Sequence, residues 1–536
     1  MSIAPRDEAG DPGQRGQAAG GGGRGGRGVC RYRRQMSWSR YAENVGNALS
    51  FIALAAWPLV CLAAFARFKP NVAVIISFMG AMLFLPEKVE IKAPFQPLDK
   101  VCMASIGALL GVLLVGEARR KLWKARPFLG SEIWVFLIMV GAFGTSFTNQ
   151  EPLNYGMASL QPLNTWEAVS VCVGDVYNYL IPWIIGRAIF TDREDARVLL
   201  KSFQIGAVIY LPFIMVEIVM SPQMHNWVYG FAQHDFIQTM RAGGYRPMVF
   251  MGHGLGLTLF LAAAILAGMV LTLARRATFF RLRARWVSLF LLLVLLGCKS
   301  LGAAVFAFLF TAVLTFMTPR WQLRVLVFSS TLVVFYPVSR ATEAFPHKEI
   351  VQFIKDTAGA DRAQSLEFRF DNEAELGKHA AKKPWFGWGR YRRNMLFSPW
   401  KDEPISVSDG YWIIIYGVRG VLGFVCLFGM FLTPVFFLRK RIKRLQAAED
   451  RYLLVGLACI SMMYTIDLLP NGMFTNYNVF FAGAVVGLIR GISGSSGEQA
   501  AVTVTVTTTN AGAPPEPKLV TSTTPATRAP QPPRGA

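Results

Sequence analysis

Apolar positions in this chain come in long unbroken runs, and polar positions come in shorter segments between them. Runs at 46–66, 71–86, 101–117, 131–147, 168–189, 202–220, 248–274, 286–299, 301–317, 323–339, 411–437, 452–469 and 475–490 approach the roughly 20 helical residues that a bilayer core requires. A backbone at that depth has no water to bond, so each run is expected to be a helix. The pattern predicts an all-α, polytopic transmembrane protein of about 12 spans. Several runs are shorter than an upright span and predict bent or re-entrant segments. Lys299 and Ser300 break a stretch far too long for one helix, which predicts a tight helical hairpin.

Composition points the same way. Hydrophobic residues make up 53% of the chain and charged residues 16%, against roughly 25% charged in soluble proteins. Lys and Arg cluster in EARRKLWKAR, ARRATFFRLRAR and LRKRIKRLQ, and basic loops stay cytoplasmic. Placing these inside puts 148–167, 221–247, 340–410 and 470–474 outside. The basic N-terminal segment also belongs inside, which requires that one of the first two runs does not cross. Twelve spans with both ends cytoplasmic then remain. The expected organisation is a basic cytoplasmic arm at 1–45, a membrane domain at 46–490 with an external loop at 340–410, and a cytoplasmic tail at 491–536. The arm and tail are too poor in apolar residues to fold alone. No cleavable signal sequence precedes the first run.

The net charge of +22 is explained by orientation and by contact with membrane lipids. No recognition module accompanies it, so nucleic acid is not an expected partner. The seven cysteines lack metal-ligand spacing. There is no Walker loop, no HExxH and no Asp-x-Asp, which argues against an energised pump or a cytosolic nucleotide-sugar transferase. No metal or cofactor is expected.

Candidate chemistry concentrates in two segments on the predicted outer side. In DRAQSLEFRFDNEAELGKHAA, Arg362, Leu366, Arg369 and Glu373 recur at helical spacing along one face. They form either a site with two guanidiniums pointing the same way or a solvated helix with an Arg369–Glu373 pair at i,i+4. In HNWVYGFAQHDFIQTMRAGGYRP, Arg241 and Arg246 flank a Gly-Gly pair. They suit phosphate, whose oxygens match the guanidinium fork, or anchor the next span at lipid headgroups. His253 reads as a packing histidine, and Trp385, Trp388 and Tyr391 as interfacial aromatics or a stacking surface for sugars.

R-x-G-G-Y-R-P before a span, S-L-E-F-R on an external helix, then P-W-F-G-W-G and DGYWIIIYGVRGVLGF occur here in that order. This order resembles the O-antigen ligase and polymerase superfamily over roughly residues 130–440. The resemblance implies a multi-pass enzyme of the bacterial cytoplasmic membrane with its site facing the periplasm or exterior. It would move glycan from a polyprenyl-pyrophosphate-linked donor to the hydroxyl of a sugar acceptor, either a lipid-linked glycan or lipid A core, without metal or nucleotide. Arg241, Arg246 and Arg369 match the family's external arginines, with Arg362 and Glu373 beside them as substrate-binding candidates. Where the family commonly has a histidine ahead of the span, this chain has Asp409, the expected acceptor-activating base. Asp409 also suits an N-cap for a helix starting at Gly410 or Tyr411, with Ser408 the alternative cap. The rival class is a lipid-linked sugar flippase or other transporter, for which Asp175, Glu217, Arg419 and Asp467 are the available intramembrane ionisable groups.

Overall fold

A computed structural model describes residues 46–125, 130–241, 243–274, 278–279 and 282–511. Side chains are described at all of these except 241, 278, 279, 282, 358, 361, 362 and 495–511. The N-terminal arm and residues 512–536 lie outside the described residues, as do the side chains of Arg241 and Arg362.

Every predicted apolar run is a helix. In chain order they are α1 (Ala48–Arg67), α2 (Pro70–Phe84), α3 (Lys100–Leu114), α4 (Gly116–Lys124), α5 (Ile133–Phe147), α6 (Thr165–Ile189), α7 (Arg193–Met220) and α8 (Met224–Tyr229). They continue as α9 (Gly254–Leu273), α10 (Ala284–Gly297), α11 (Leu301–Phe316), α12 (Pro319–Ala341), α13 (His347–Ala358), α14 (Ala360–Ala380), α15 (Tyr411–Arg441), α16 (Ala448–Asp467) and α17 (Asn476–Ala511). The described sheet structure amounts to three short antiparallel hairpins, β1–β2 (Leu153–Tyr155, Ala158–Leu160), β3–β4 (Met240–Arg241, Gly244–Tyr245) and β5–β6 (Thr278–Phe279, Leu282–Arg283). Seven of the described helices are long and apolar enough to cross a membrane. α2, α5, α10 and α11 are shorter apolar helices. α17 continues to Ala511, past the point where composition predicts an unstructured tail.

Two apolar stretches depart from straight spans. The run expected at 101–117 ends at Leu114, and the chain turns by 97° into the basic helix α4. Ala118 and Leu122 of α4 are buried while its charges face out, so one face rests on the bundle. The long stretch at 284–316 is broken at Cys298–Ser300, where Lys299 has φ +55°. Close packing elsewhere rests on small residues. Methyl groups at Gly483 and Gly487 of α17 would meet the carbonyl oxygens of Trp183 and Arg187 at 2.5 and 2.4 Å, so α17 lies directly on the α6 backbone.

The end of the bundle carrying the basic loops is tied by ion pairs. Arg193 grips Asp450 with two bonds of 2.6 and 2.9 Å, Arg197 pairs with Glu449, and buried Arg187 meets Glu132 at 2.5 Å. Asp192 caps α7 in a reciprocal box with Asp195, whose carboxylate also accepts from Asn71. The polar features singled out from the sequence lie at the other ends of these helices.

Candidate functional site

The helix expected at 361–381 is α14, and its position is set from below. Tyr336 and Arg340, in the last turns of α12, reach Glu373: the Tyr336 hydroxyl donates to Glu373 Oε2 at 3.1 Å and the Arg340 guanidinium lies 3.5 Å away. Arg340 also donates to the Phe370 carbonyl at 2.8 Å and stacks on the Phe370 ring. The Glu373 side chain is only 13% exposed. Burial pushes its carboxyl above the usual range, opposed by the charge of Arg340. Glu373 therefore does not form the intrahelical pair with Arg369 that the spacing allows.

Arg369, one turn earlier, faces Asp409 instead, with Nε 3.5 Å from Oδ2 and both side chains more than a third exposed. At that separation the pair is held by charge rather than by a directed bond, and solvent limits its worth to about 0–1 kcal/mol. It is a weak structural tie, open to exchange. Asp409 is not a helix cap. The cap position of α15 is Gly410, with no side-chain bond, and the Tyr411 and Trp412 N–H groups donate instead to the Leu468 carbonyl, Tyr411 also to that of Asn471. Ser408 does not cap it either; its hydroxyl faces the Met395 sulfur.

The PWFGWG segment is built into a break in α15. Gly420 has φ +65° and ψ −165° inside this helix, and the polar groups released there pair with residues 384–389. Val421 and Leu422 N–H donate to the Pro384 and Trp385 carbonyls at 2.7 and 3.3 Å. Trp388 and Gly389 N–H donate to the Gly417 and Val418 carbonyls at 2.8 and 2.9 Å. The Phe386 and Gly387 carbonyls accept from Thr145 Oγ1 and Asn149 Nδ2 on α5 and its C-terminal continuation. A non-helical backbone inside an apolar bundle requires this full accounting. Behind the segment, fully buried Arg393 bonds the carbonyls of Trp388, Gln161 and Glu151. His379 stacks on Trp388 at 4.4 Å and donates from Nε2 to the Arg393 carbonyl. Burial lowers the His379 imidazole below its ordinary value. Gly387 and Gly389, at φ +68° and +83°, thus make turns.

Beside the break, Arg419 holds Asp175 of α6 through two bonds, of 2.7 and 2.5 Å. Arg390 shares a small cavity with Arg419 and Glu167. Burial, and then the neighbouring Arg419 charge, push the Arg390 guanidinium down.

The second sequence cluster is the β3–β4 hairpin. Arg241 ends β3, and Arg246 follows β4 with its N–H donating to the Thr239 carbonyl at 2.8 Å. The aliphatic stem of Arg246 lies against Gly254, and the Lys299 ammonium lies against Gly244. Two cations from separate loops thus flank this turn. Glu217 anchors the following chain: its carboxylate accepts from Met224, Met248 and Val249 N–H at 2.8–2.9 Å and holds Val249 at φ +56°. His253 caps α9 by accepting from Leu255 N–H. His253 also lines a cleft of about 460 Å³ together with His234, Glu87, Lys88 and Lys100. Gly472 on the rim of that cleft packs against the Asp409 carbonyl. The cleft therefore abuts the Asp409 backbone.

Compared with protein-family models and with curated proteins, the chain finds no match. Its function must therefore be argued from the site. Of the candidate residues, the structure joins Arg369 to Asp409, seats Glu373 on Arg340 and puts Arg246 in the hairpin group with Lys299. Sequence reasoning missed Arg340, Arg393 and Lys299 as partners. Arg340 and Arg393 are each one cation among several in their stretches, and Lys299, the lone cation of 286–317, read as a break in the chain and not as a partner.

Proposed function

We propose that this chain is a membrane glycosyltransferase of surface-polysaccharide assembly, an O-antigen ligase-like or exopolysaccharide polymerase-like enzyme of the bacterial cytoplasmic membrane. In this reading it has about 12 spans, with 221–247 and 340–410 outside. The observation that carries the proposal is the Arg369–Asp409 pair, a guanidinium and a carboxylate 3.5 Å apart and open to solvent at the start of a long apolar helix. Arg369 faces Asp409 through Nε, which leaves its terminal nitrogens for the oxygens of a polyprenyl pyrophosphate. The acceptor hydroxyl gives its proton to the Asp409 carboxylate as its oxygen bonds the anomeric carbon. The bond from that carbon to the pyrophosphate oxygen breaks, and the electron pair leaves with the pyrophosphate, whose charge Arg369, Arg241 and Arg246 offset. Arg362 is a further substrate-binding residue in this proposal on sequence spacing alone, and Glu373 keeps α14 in register through Arg340.

The test is glycan transfer by the purified protein in vesicles supplied with a polyprenyl-pyrophosphate-linked oligosaccharide and acceptor. Arg369→Ala is expected to lose about a hundred- to a thousandfold in rate, and Arg369→Lys to recover it only in part, since Lys lacks the fork. Asp409→Asn keeps size and polarity but cannot take the proton. Undiminished transfer by Asp409→Asn and Arg369→Ala, both normally inserted, would remove the assignment.

A transporter reading has one observation in its favour, the buried Arg419–Asp175 pair beside the α15 break, since broken helices with ionisable groups often line transport paths. Translocation of a fluorescent lipid-linked glycan across proteoliposomes, without elongation, would select it.

A further inference from the structure

The opposite ends of α12 and α15 carry a feature that the proposed transfer does not use. Arg320 and Arg324 from the first turns of α12, Arg439 from the end of α15, Lys443 from the turn just after it, and Arg451 from the start of α16 line one cleft of about 600 Å³, and no acidic side chain among the described residues lines it. Arg320 and Arg340 stand 20 residues apart on α12, or about 30 Å at 1.5 Å per residue, close to the thickness of a bilayer core. The cleft and the Arg340–Glu373 contact therefore sit at opposite ends of one span.

Topogenic charge needs only to remain on one side of the membrane and does not need to converge. Here it converges, and two of the guanidiniums are already oriented. Arg451 is fixed by bonds to the Leu445 and Gln446 carbonyls at 2.9 and 3.2 Å, and Arg324 stacks on exposed Trp321 at 4.2 Å. The α12 N-terminus, which begins at Pro319 without a side-chain cap, adds the positive end of its dipole. The rest of the lining is aliphatic: Leu323, Val327 and Ile442. A cationic rim over an aliphatic floor fits an amphipathic anion better than a free one.

We infer that this cleft binds the phosphate headgroup of an anionic phospholipid, with the first methylenes of an acyl chain on Leu323, Val327 and Ile442. The experiment uses the full chain in nanodiscs of phosphatidylcholine containing a minority of phosphatidylglycerol, followed by native mass spectrometry of the lipid that remains after delipidation. Wild type is expected to retain phosphatidylglycerol over phosphatidylcholine. The Arg324→Gln/Arg439→Gln/Lys443→Gln variant is expected to lose that preference by at least about tenfold. The charge-matched control Arg119→Gln/Arg120→Gln/Lys440→Gln, whose side chains are not in the cleft, is expected to keep it. Arg439→Gln alone serves if the triple variant is not monodisperse, with an intermediate loss expected. Equal retention by the cleft variants and the control would overturn the inference. Displacement of the retained lipid by millimolar inorganic phosphate would also overturn it, by assigning the cleft to a free anion.

Discussion

The insertion of residues 384–389 into the α15 break makes Gly420 a sensitive backbone position. A methyl group there would lie 2.4 Å from the Trp385 carbonyl carbon and oxygen and 2.6 Å from Phe386 N. All three are main-chain atoms that no side-chain rotation can move aside. Its φ of +65° with ψ −165° lies in a region that only glycine visits without cost, and strain there is worth about 1–3 kcal/mol. Relieving the clash means withdrawing the segment, which forfeits the Val421–Pro384 and Leu422–Trp385 hydrogen bonds at about 0.5–1.5 kcal/mol each. Gly420→Ala is therefore expected to cost about 2–6 kcal/mol, which for a chain of this length lowers Tm in detergent by about 2–6 °C. Gly387→Ala meets the same junction from the other side, with Arg419 N and Gly420 N at 2.6 Å. Because both substitutions break one insertion, the double variant should cost clearly less than the sum of the singles. Gly302→Ala, with nothing within 4 Å of the added methyl, is the control and should stay within about 1 kcal/mol of wild type. A Tm for Gly420→Ala within about 1 °C of wild type (about half the smallest drop expected), or strict additivity with Gly387→Ala, would refute the inserted-segment account.

Glu217→Gln replaces a carboxylate that accepts from three backbone N–H groups. It should cost about 1–3 kcal/mol and speed amide exchange at Met248 and Val249, which hydrogen-exchange mass spectrometry would detect; unchanged protection there would contradict it. Glu373 has its carboxyl raised by burial, so its stabilising contribution is complete below the ordinary carboxylate range and falls as pH rises through the raised value. Glu373→Gln should flatten that limb of a Tm-against-pH curve. His379 has its imidazole lowered by burial, so stability should instead fall as pH drops below about 6.5; a His379→Gln curve as steep as wild type there would count against it. For topology, single cysteines at exposed Ser365 and Gln238 should react with an impermeant reagent from outside intact cells, and one at Lys443 only after permeabilisation. The reverse pattern would invert the orientation. Gln233 would be a poor probe, since it is buried and donates to the Val249 and Met251 carbonyls.

Helix positions were legible because a bilayer imposes one rule on each segment separately: an apolar run must satisfy its own backbone, and nothing beyond the run is needed to say so. The same locality located α14 at 361–381 and marked the Cys298–Ser300 break. Helical spacing also marked Arg369, whereas Asp409 was marked by the resemblance alone, standing where that family commonly has a histidine. Partner choice was decided by the tertiary structure. Spacing offered Arg369 to Glu373, yet α12 delivers Tyr336 and Arg340 to Glu373, and Arg369 turns to an aspartate 40 positions away. Asp409 looked like a cap until the 468–471 turn supplied Tyr411 with carbonyl acceptors. The bend after Leu114 and the opening of α15 at Gly420 were likewise beyond a hydropathy pattern. An apolar stretch reads alike whether its helix runs straight or is opened by a distant loop, and the difference lies in which remote main-chain groups arrive to take up the freed hydrogen bonds.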